Sequence, residues 1–116
     1  MPRLHELAMV ESIYDIIIDK LKEYGANRVT QVRLVVGELT GVEDMTMKAC
    51  FEMYVEATPA AGAKLVIKRV PIKVQCRVCG NEYETSIPFS ECAVCKNKNI
   101  KIISGKELYI DSLEVE

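Results

Sequence analysis

Four cysteines carry the strongest chemistry in this chain. Cys76-Arg-Val-Cys79-Gly and Glu91-Cys92-Ala-Val-Cys95-Lys are two Cys-x-x-Cys pairs with 12 residues between them. Each pair can bend round an ion as a knuckle. Together they supply four thiolates, the tetrahedral set a structural Zn²⁺ takes. Gly80 follows the first pair, where a tight turn favours a residue tolerant of positive φ. Iron is the nearest competitor, because thiolates hold Fe as well. Two disulfides, or unpaired buried thiols, are the bland alternative, and nothing else in the chain suggests secretion.

A second, weaker candidate stands at the other end. His5 is the only histidine, and Glu6 follows it at the start of an amphipathic helix. Most histidines at such a place are plain surface residues. Against that, the amides of a helix start lack intrahelical partners. An imidazole beside deprotonated amide nitrogens forms a square-planar nitrogen set, which suits Ni²⁺ or Cu²⁺. Glu43 lies one turn before Met47 at the start of a second helix. It is the acidic residue best placed to meet His5 if the helices pack side by side. The plainer reading of Glu43 and Asp44 is a carboxylate pair favoured by the helix dipole. Asp44 is the more structural of the two, since it can also pair with Lys48 one turn on.

These donors must be positioned by a short chain. The first helix is expected from about His5 to Tyr24, with Val10, Ile13, Tyr14, Ile17 and Leu21 on one face. Gly25 and Asn27 supply its stop. Arg28 to Val36 reads as a strand, and the stretch from Gly37 to Gly41 as a loop. A second helix runs from about Glu43 to Ala57, with Met47, Cys50, Phe51, Tyr54 and Thr58 keeping the helical period. Cys50 lies on that stripe and is expected to be a buried thiol rather than a ligand. Ala63 to Val70 alternates apolar and basic residues and reads as a strand. In the ribbon, Ile72 to Gln75 leads into the first knuckle, Tyr83 to Ile87 can pair back, and Ile100 to Ile103 closes the module. A last strand spans Glu107 to Val115. The expected class is α+β: two helices on a small three-stranded sheet, with an inserted four-Cys zinc ribbon. The expected domains are 1–70 with 105–116, and 71–104.

With 116 residues the chain has room for one small domain plus a metal-stapled one. It is 49% apolar and has no Trp, so its core is aliphatic. The formal charge is −2 and the pI about 5.5. Zinc on four thiolates makes the balance about two charges more negative. A nucleic-acid-binding ribbon usually shows a basic face. Lys96, Lys98, Lys101 and Lys106 form only a modest cluster, so that reading is the runner-up, and an iron electron-transfer ribbon is the third. The apolar runs are too short to span a membrane. The N-terminus lacks the apolar region of a signal peptide, and the odd thiol Cys50 points to a reducing, cytoplasmic setting. No nucleophile motif, second histidine or phosphate loop appears, and no enzyme is expected.

The order of His5-Glu6-Leu-Ala-Met, Val35-Val36-Gly37-Glu38 and the paired knuckles, closing on a strand that ends Leu113-Glu114, resembles the HypA/HybF family over essentially the whole chain. That resemblance implies nickel delivery during [NiFe]-hydrogenase maturation, with some members serving urease. It implies structural zinc on Cys76, Cys79, Cys92 and Cys95. It makes His5 the principal ligand for Ni(II) cargo, with backbone nitrogens including the N-terminal amine, and with Glu6 and Glu43 assisting. The implied partners are the nickel-binding GTPase HypB and the hydrogenase large-subunit precursor, and a homodimer stays open. The chain departs from the family at one point. Met1-Pro-Arg-Leu4 precedes His5, where the family has a lone Met, so the amine sits three residues too far along. A native start at Leu4 is therefore expected, which mass spectrometry of the native terminus checks.

Overall fold

The computed structural model describes residues 4–86 and 91–116, without the side chains of Leu4 and His5. The chain divides into two compact units. One comprises Met1–Leu34, Val42–Lys68 and Tyr109–Glu116; the other comprises Val35–Gly41 and Arg69–Leu108.

In the first unit, helix α1 spans Leu4–Tyr24 and helix α2 spans Asp44–Tyr54. The stripe Val10, Ile13, Ile17 and Leu21 is buried, as its spacing demands, and Glu11, Asp15 and Asp19 stay exposed. Gly25 ends α1 in a left-handed conformation (φ 64°). Its amide donates to the Lys22 carbonyl at 3.3 Å, and the Ala26 amide donates to the Leu21 carbonyl at 3.0 Å. These two bonds make a Schellman stop, which satisfies carbonyls the helix leaves over. The helices pack against each other, and Tyr14 meets Tyr54 edge-on with ring centroids 5.4 Å apart. Met47, Cys50 and Phe51 fill the buried face of α2. Cys50 is thus a buried free thiol.

The second helix is shorter than its apolar pattern suggests. It starts at Asp44, with Glu43 as its extended N-cap, and stops at Tyr54 instead of Ala57. The Val55 amide still donates to the Phe51 carbonyl, but Ala57 has φ 62°, and the Thr58 amide and hydroxyl both bond the Val55 carbonyl. A turn built on Thr58 thereby outcompetes one more helical turn.

Strands β1 (Val29–Gly37), β2 (Lys64–Val70) and β6 (Leu108–Val115) form a sheet in the order β2-β1-β6. Arg28 and Glu116 exchange backbone bonds at 2.9 and 3.3 Å, so β6 closes antiparallel on β1. The alternation of β1 fails at its end, where Leu34, Val35, Val36 and Gly37 are all buried. The expected loop after β1 contains a 3-10 turn, Glu38–Thr40, stopped by Gly41 at φ 71°.

In the second unit, β3 (Lys73–Cys76) is the centre of a sheet ordered β4-β3-β5. It pairs antiparallel with β4 (Glu82–Glu84) and with β5 (Ile100–Ser104). The returning strand is shorter than expected, and Ile87 lies outside the described residues. Ile72, Val74 and Cys76 alternate onto one buried face. Gly37 sits against Gly105 in this unit: a Cβ there would lie 2.1 Å from the Gly105 carbonyl oxygen. Only glycine fits that approach.

Candidate metal centre

Each knuckle is shaped by its own backbone. The Gly80 amide donates to the Cys76 carbonyl at 2.9 Å, and the Lys96 amide donates to the Cys92 carbonyl at 2.8 Å. The Cys76 amide donates to Asn81 and the Cys92 amide to Asn97, both at 2.9 Å. Gly80 (φ 79°) and Lys96 (φ 63°) hold the same left-handed corner. The two knuckles are therefore one motif used twice, and its repeat is Cys-x-Val-Cys-x-Asn. The asparagines were not singled out by the sequence reading, although this repeat marks them. Asn81 also aims its Nδ2 at Cys92 Sγ from 3.9 Å, and Asn97 Oδ1 accepts from the Asn99 amide at 2.7 Å.

The four sulfurs converge. All four Sγ atoms lie within 4.8 Å of one another, with Cys76 and Cys92 buried and Cys79 and Cys95 exposed. Cys76 approaches Cys95 at 3.4 Å and Cys79 approaches Cys92 at 3.6 Å. A disulfide would need about 2.05 Å, so all four are free thiols. An ion bound at about 2.3 Å to four tetrahedral sulfurs spaces them about 3.8 Å apart. The donor set fits such an ion with small shifts, and the fit serves zinc and iron alike.

Electrostatics point the same way. The Cys95 amide, helped by that of Val94, holds Cys92 down to about 6, against burial. The Cys79 amide lowers Cys76 in the same manner. The Asn97 amide also favours the Cys95 thiolate, but Cys76, burial, Cys79 and Cys92 outweigh it and push that thiol up to about 12. Cys79 is raised as well: burial, Cys92 and Cys76 outweigh the Asn81 amide. Two thiols ionise readily and two resist, because four negative sulfurs this close repel one another. A dication removes that penalty for all four.

Among the described residues, these cysteines are the only group of three or more potential ligand residues gathered for a metal. His5 lies outside that description as a side chain. Glu6, in the first turn of α1, is fully buried, and Glu43 is exposed at the α2 N-cap.

A family model described as hydrogenase/urease nickel incorporation, metallochaperone, hypA matches residues 4–115. The hydrogenase maturation factor HypA of Dehalococcoides mccartyi strain CBDB1 is 36% identical over 113 residues, covering 97% of this chain and 95% of that relative. The protein of the same name from Caldanaerobacter subterraneus subsp. tengcongensis is 39% identical over 114 residues, covering 97% and 100%. The solution structure of a HypA protein matches the fold at TM-score 0.73 and 23% identity, covering 98% of each chain. The Helicobacter pylori Ni metallochaperone HypA matches at 0.65 and 23%, covering 95% of this chain and 96% of that one. The expected resemblance is thus met along nearly the whole chain, and this protein belongs to the HypA family of hydrogenase/urease nickel-incorporation metallochaperones.

Proposed function

We propose that the chain takes up Ni(II) at its N-terminal end and hands it to the large-subunit precursor of a [NiFe]-hydrogenase, with urease as a second client. The observation that carries this is the family match over residues 4–115, whose description is nickel incorporation. His5 supplies the imidazole, neighbouring backbone nitrogens complete the plane, Glu6 contributes backbone or carboxylate, and Glu43 adds a carboxylate. The packing of α1 on α2 is compatible with that grouping.

Cargo and structural metal then have opposite requirements. A cargo site must let go, which suits few ligands at a chain end. A structural site must hold, which suits four thiolates in a closed shell, and we assign Zn(II) to Cys76, Cys79, Cys92 and Cys95. When bound, that ion supplies charge compensation and cross-links the ribbon. The nickel site belongs to the part of the chain comprising 1–70 and 105–116, and the zinc site to 71–104. The GTPase HypB is the proposed partner in loading, in the cytoplasm, and the protein is a carrier and not an enzyme.

Metal analysis of the purified chain, followed by nickel titration of wild type and His5→Ala, tests the reading. One zinc per chain and a nickel site lost in His5→Ala are expected. Unchanged nickel affinity in that variant removes His5 from the site.

A further inference from the structure

The cysteine cluster carries a second chemistry besides coordination. Two close sulfur contacts run from one knuckle to the other: Cys76 to Cys95 at 3.4 Å and Cys79 to Cys92 at 3.6 Å. Each contact joins a buried sulfur to an exposed one, since Cys76 and Cys92 are buried while Cys95 and Cys79 are exposed. An oxidant arriving from solvent therefore has a point of entry in each pair, and a second sulfur stands directly behind it. The fifth cysteine offers nothing comparable, because Cys50 is buried on α2 and lies outside the cluster.

What oxidation does to the ribbon depends on which sulfurs pair. The partners across the knuckles are 19 and 13 residues apart in sequence. A bond closing loops of that length constrains the unfolded chain, and it ties one knuckle to the other. A bond within a knuckle closes only a Cys-x-x-Cys turn, which the Gly80 and Lys96 amides already hold, and it leaves the two knuckles unlinked. The cross-knuckle sulfurs have to close from 3.4 and 3.6 Å to about 2.05 Å, a short movement of side chains already in contact.

We propose that Cys79 and Cys95 are peroxide-reactive sites, and that oxidation joins Cys79 to Cys92 and Cys95 to Cys76, so that two disulfides replace the metal as the staple of the ribbon. The inference rests on the reading that the four thiolates hold a dication. In each pair the exposed thiolate attacks a peroxide. The O–O bond breaks, the sulfur keeps one oxygen as a sulfenic acid, and hydroxide leaves. The buried thiolate then attacks that sulfur, the S–S bond forms, and a second hydroxide leaves. Each peroxide thus takes two electrons from one pair, and two peroxides oxidise all four sulfurs. A sulfur held in a disulfide is no longer a thiolate ligand, so the site loses its hold on the ion while the knuckles stay linked.

The test treats the full metal-loaded chain with graded hydrogen peroxide and follows metal release, free thiols and disulfide pairing. About two equivalents of peroxide release the metal and consume four of the five thiols, and a thiol reductant restores them. Cleavage after Arg77 and after Ala93 separates three fragments, holding Cys76, Cys79 with Cys92, and Cys95. Mass spectrometry finds the Cys76 fragment bonded directly to the Cys95 fragment. Amide exchange finds 73–76 and 100–104 protected in the oxidised chain and unprotected in the reduced, chelated one. A Cys76 fragment bonded to the one holding Cys79 and Cys92 overturns the inference. So does sulfinic acid without disulfide, or Cys50 oxidising as fast as the cluster. Equal loss of protection on oxidation and on chelation overturns it as well. A purified chain without metal overturns the structural-metal reading; the pairing then stands or falls on the fragment map alone.

Discussion

The two units of this chain are held together by different forces. The helix-and-sheet unit buries Phe51, Ile17, Met47, Val10, Val29 and Leu34 with almost no exposure. Its stability follows from apolar area removed from water. The ribbon unit buries less: among the described residues Val35, Val36, Ile72 and Val74 are its buried aliphatics, and two of its other buried side chains are cysteines. Below a certain core size a fold needs a staple, and the four converging sulfurs are the group that could hold one. If the four thiolates hold the proposed metal, one unit stands on packing and the other on coordination, so the two should fail under different insults.

Removing the staple is the sharpest way to break that comparison, and carries the largest effect. Structural zinc contributes apparent free energies of about 10–16 kcal/mol in small zinc modules. Cys76→Ser, or chelation of the wild type, should lose the metal and unfold the ribbon. Amide exchange should show 73–104 unprotected and α1 and α2 still protected. Uniform loss of protection would mean that the two units are not separately stabilised. The metal should also leave on acidification, since its ligands must be thiolates.

The converse experiment attacks the packing. Phe51→Ala removes a fully buried ring from α2 and should cost about 3–5 kcal/mol in denaturant unfolding. Metal stoichiometry should stay at the wild-type value. A variant that loses metal along with helix would erase the distinction.

Gly37→Ala has the next effect. The new Cβ meets the Gly105 carbonyl carbon at 2.2 Å and the Glu107 carboxylate at 2.7 Å, while the Gly37 amide already donates to the Glu107 carbonyl. Backbone must move, at a cost of about 1–3 kcal/mol. Gly41→Ala is the comparison, because its Cβ would have open space and face only its positive φ. Equal melting points for the two variants would show that the close approach contributes nothing.

The smallest effect is electrostatic. Arg69 Nε donates to Glu38 at 2.9 Å and holds that carboxyl below its ordinary value of 4.5. A group whose folded pKa is depressed stabilises above its unfolded pKa, and that contribution disappears as pH falls through the folded value. The pair is partly solvated, so Glu38→Gln should cost only about 0.5 kcal/mol near neutral pH. Once pH has fallen below that folded value, wild type and variant should melt alike. A difference that persists in acid would assign the effect to packing.

Much of the fold was legible because its signals are local. The α1 stripe follows from 3.6-residue periodicity, and the Gly25 stop from the chirality that leaves only glycine at ease there. The three-stranded sheet and the ribbon strands followed from alternation and turn residues. Boundaries failed where a competitor was itself local but weaker in pattern. The turn at Thr58 shortens α2, and the 3-10 turn occupies an expected loop. In the metal centre the four cysteines stood out, but Asn81 and Asn97, one closing each knuckle, did not. Their role depends on backbone carbonyls, which every residue type carries.

By itself the sequence determined the helix faces, the doubled knuckle and the resemblance to one family. Those are properties of spacing, and spacing acts through bonds a few residues long. The tertiary structure alone decided the rest: that four sulfurs from two knuckles meet within 4.8 Å, that Gly37 must be glycine because Gly105 presses on it, and that Glu6 is buried while Val78 and Val94 are not. These outcomes depend on residues far apart in the chain. No local periodicity encodes such meetings, because they form only when the whole backbone has closed.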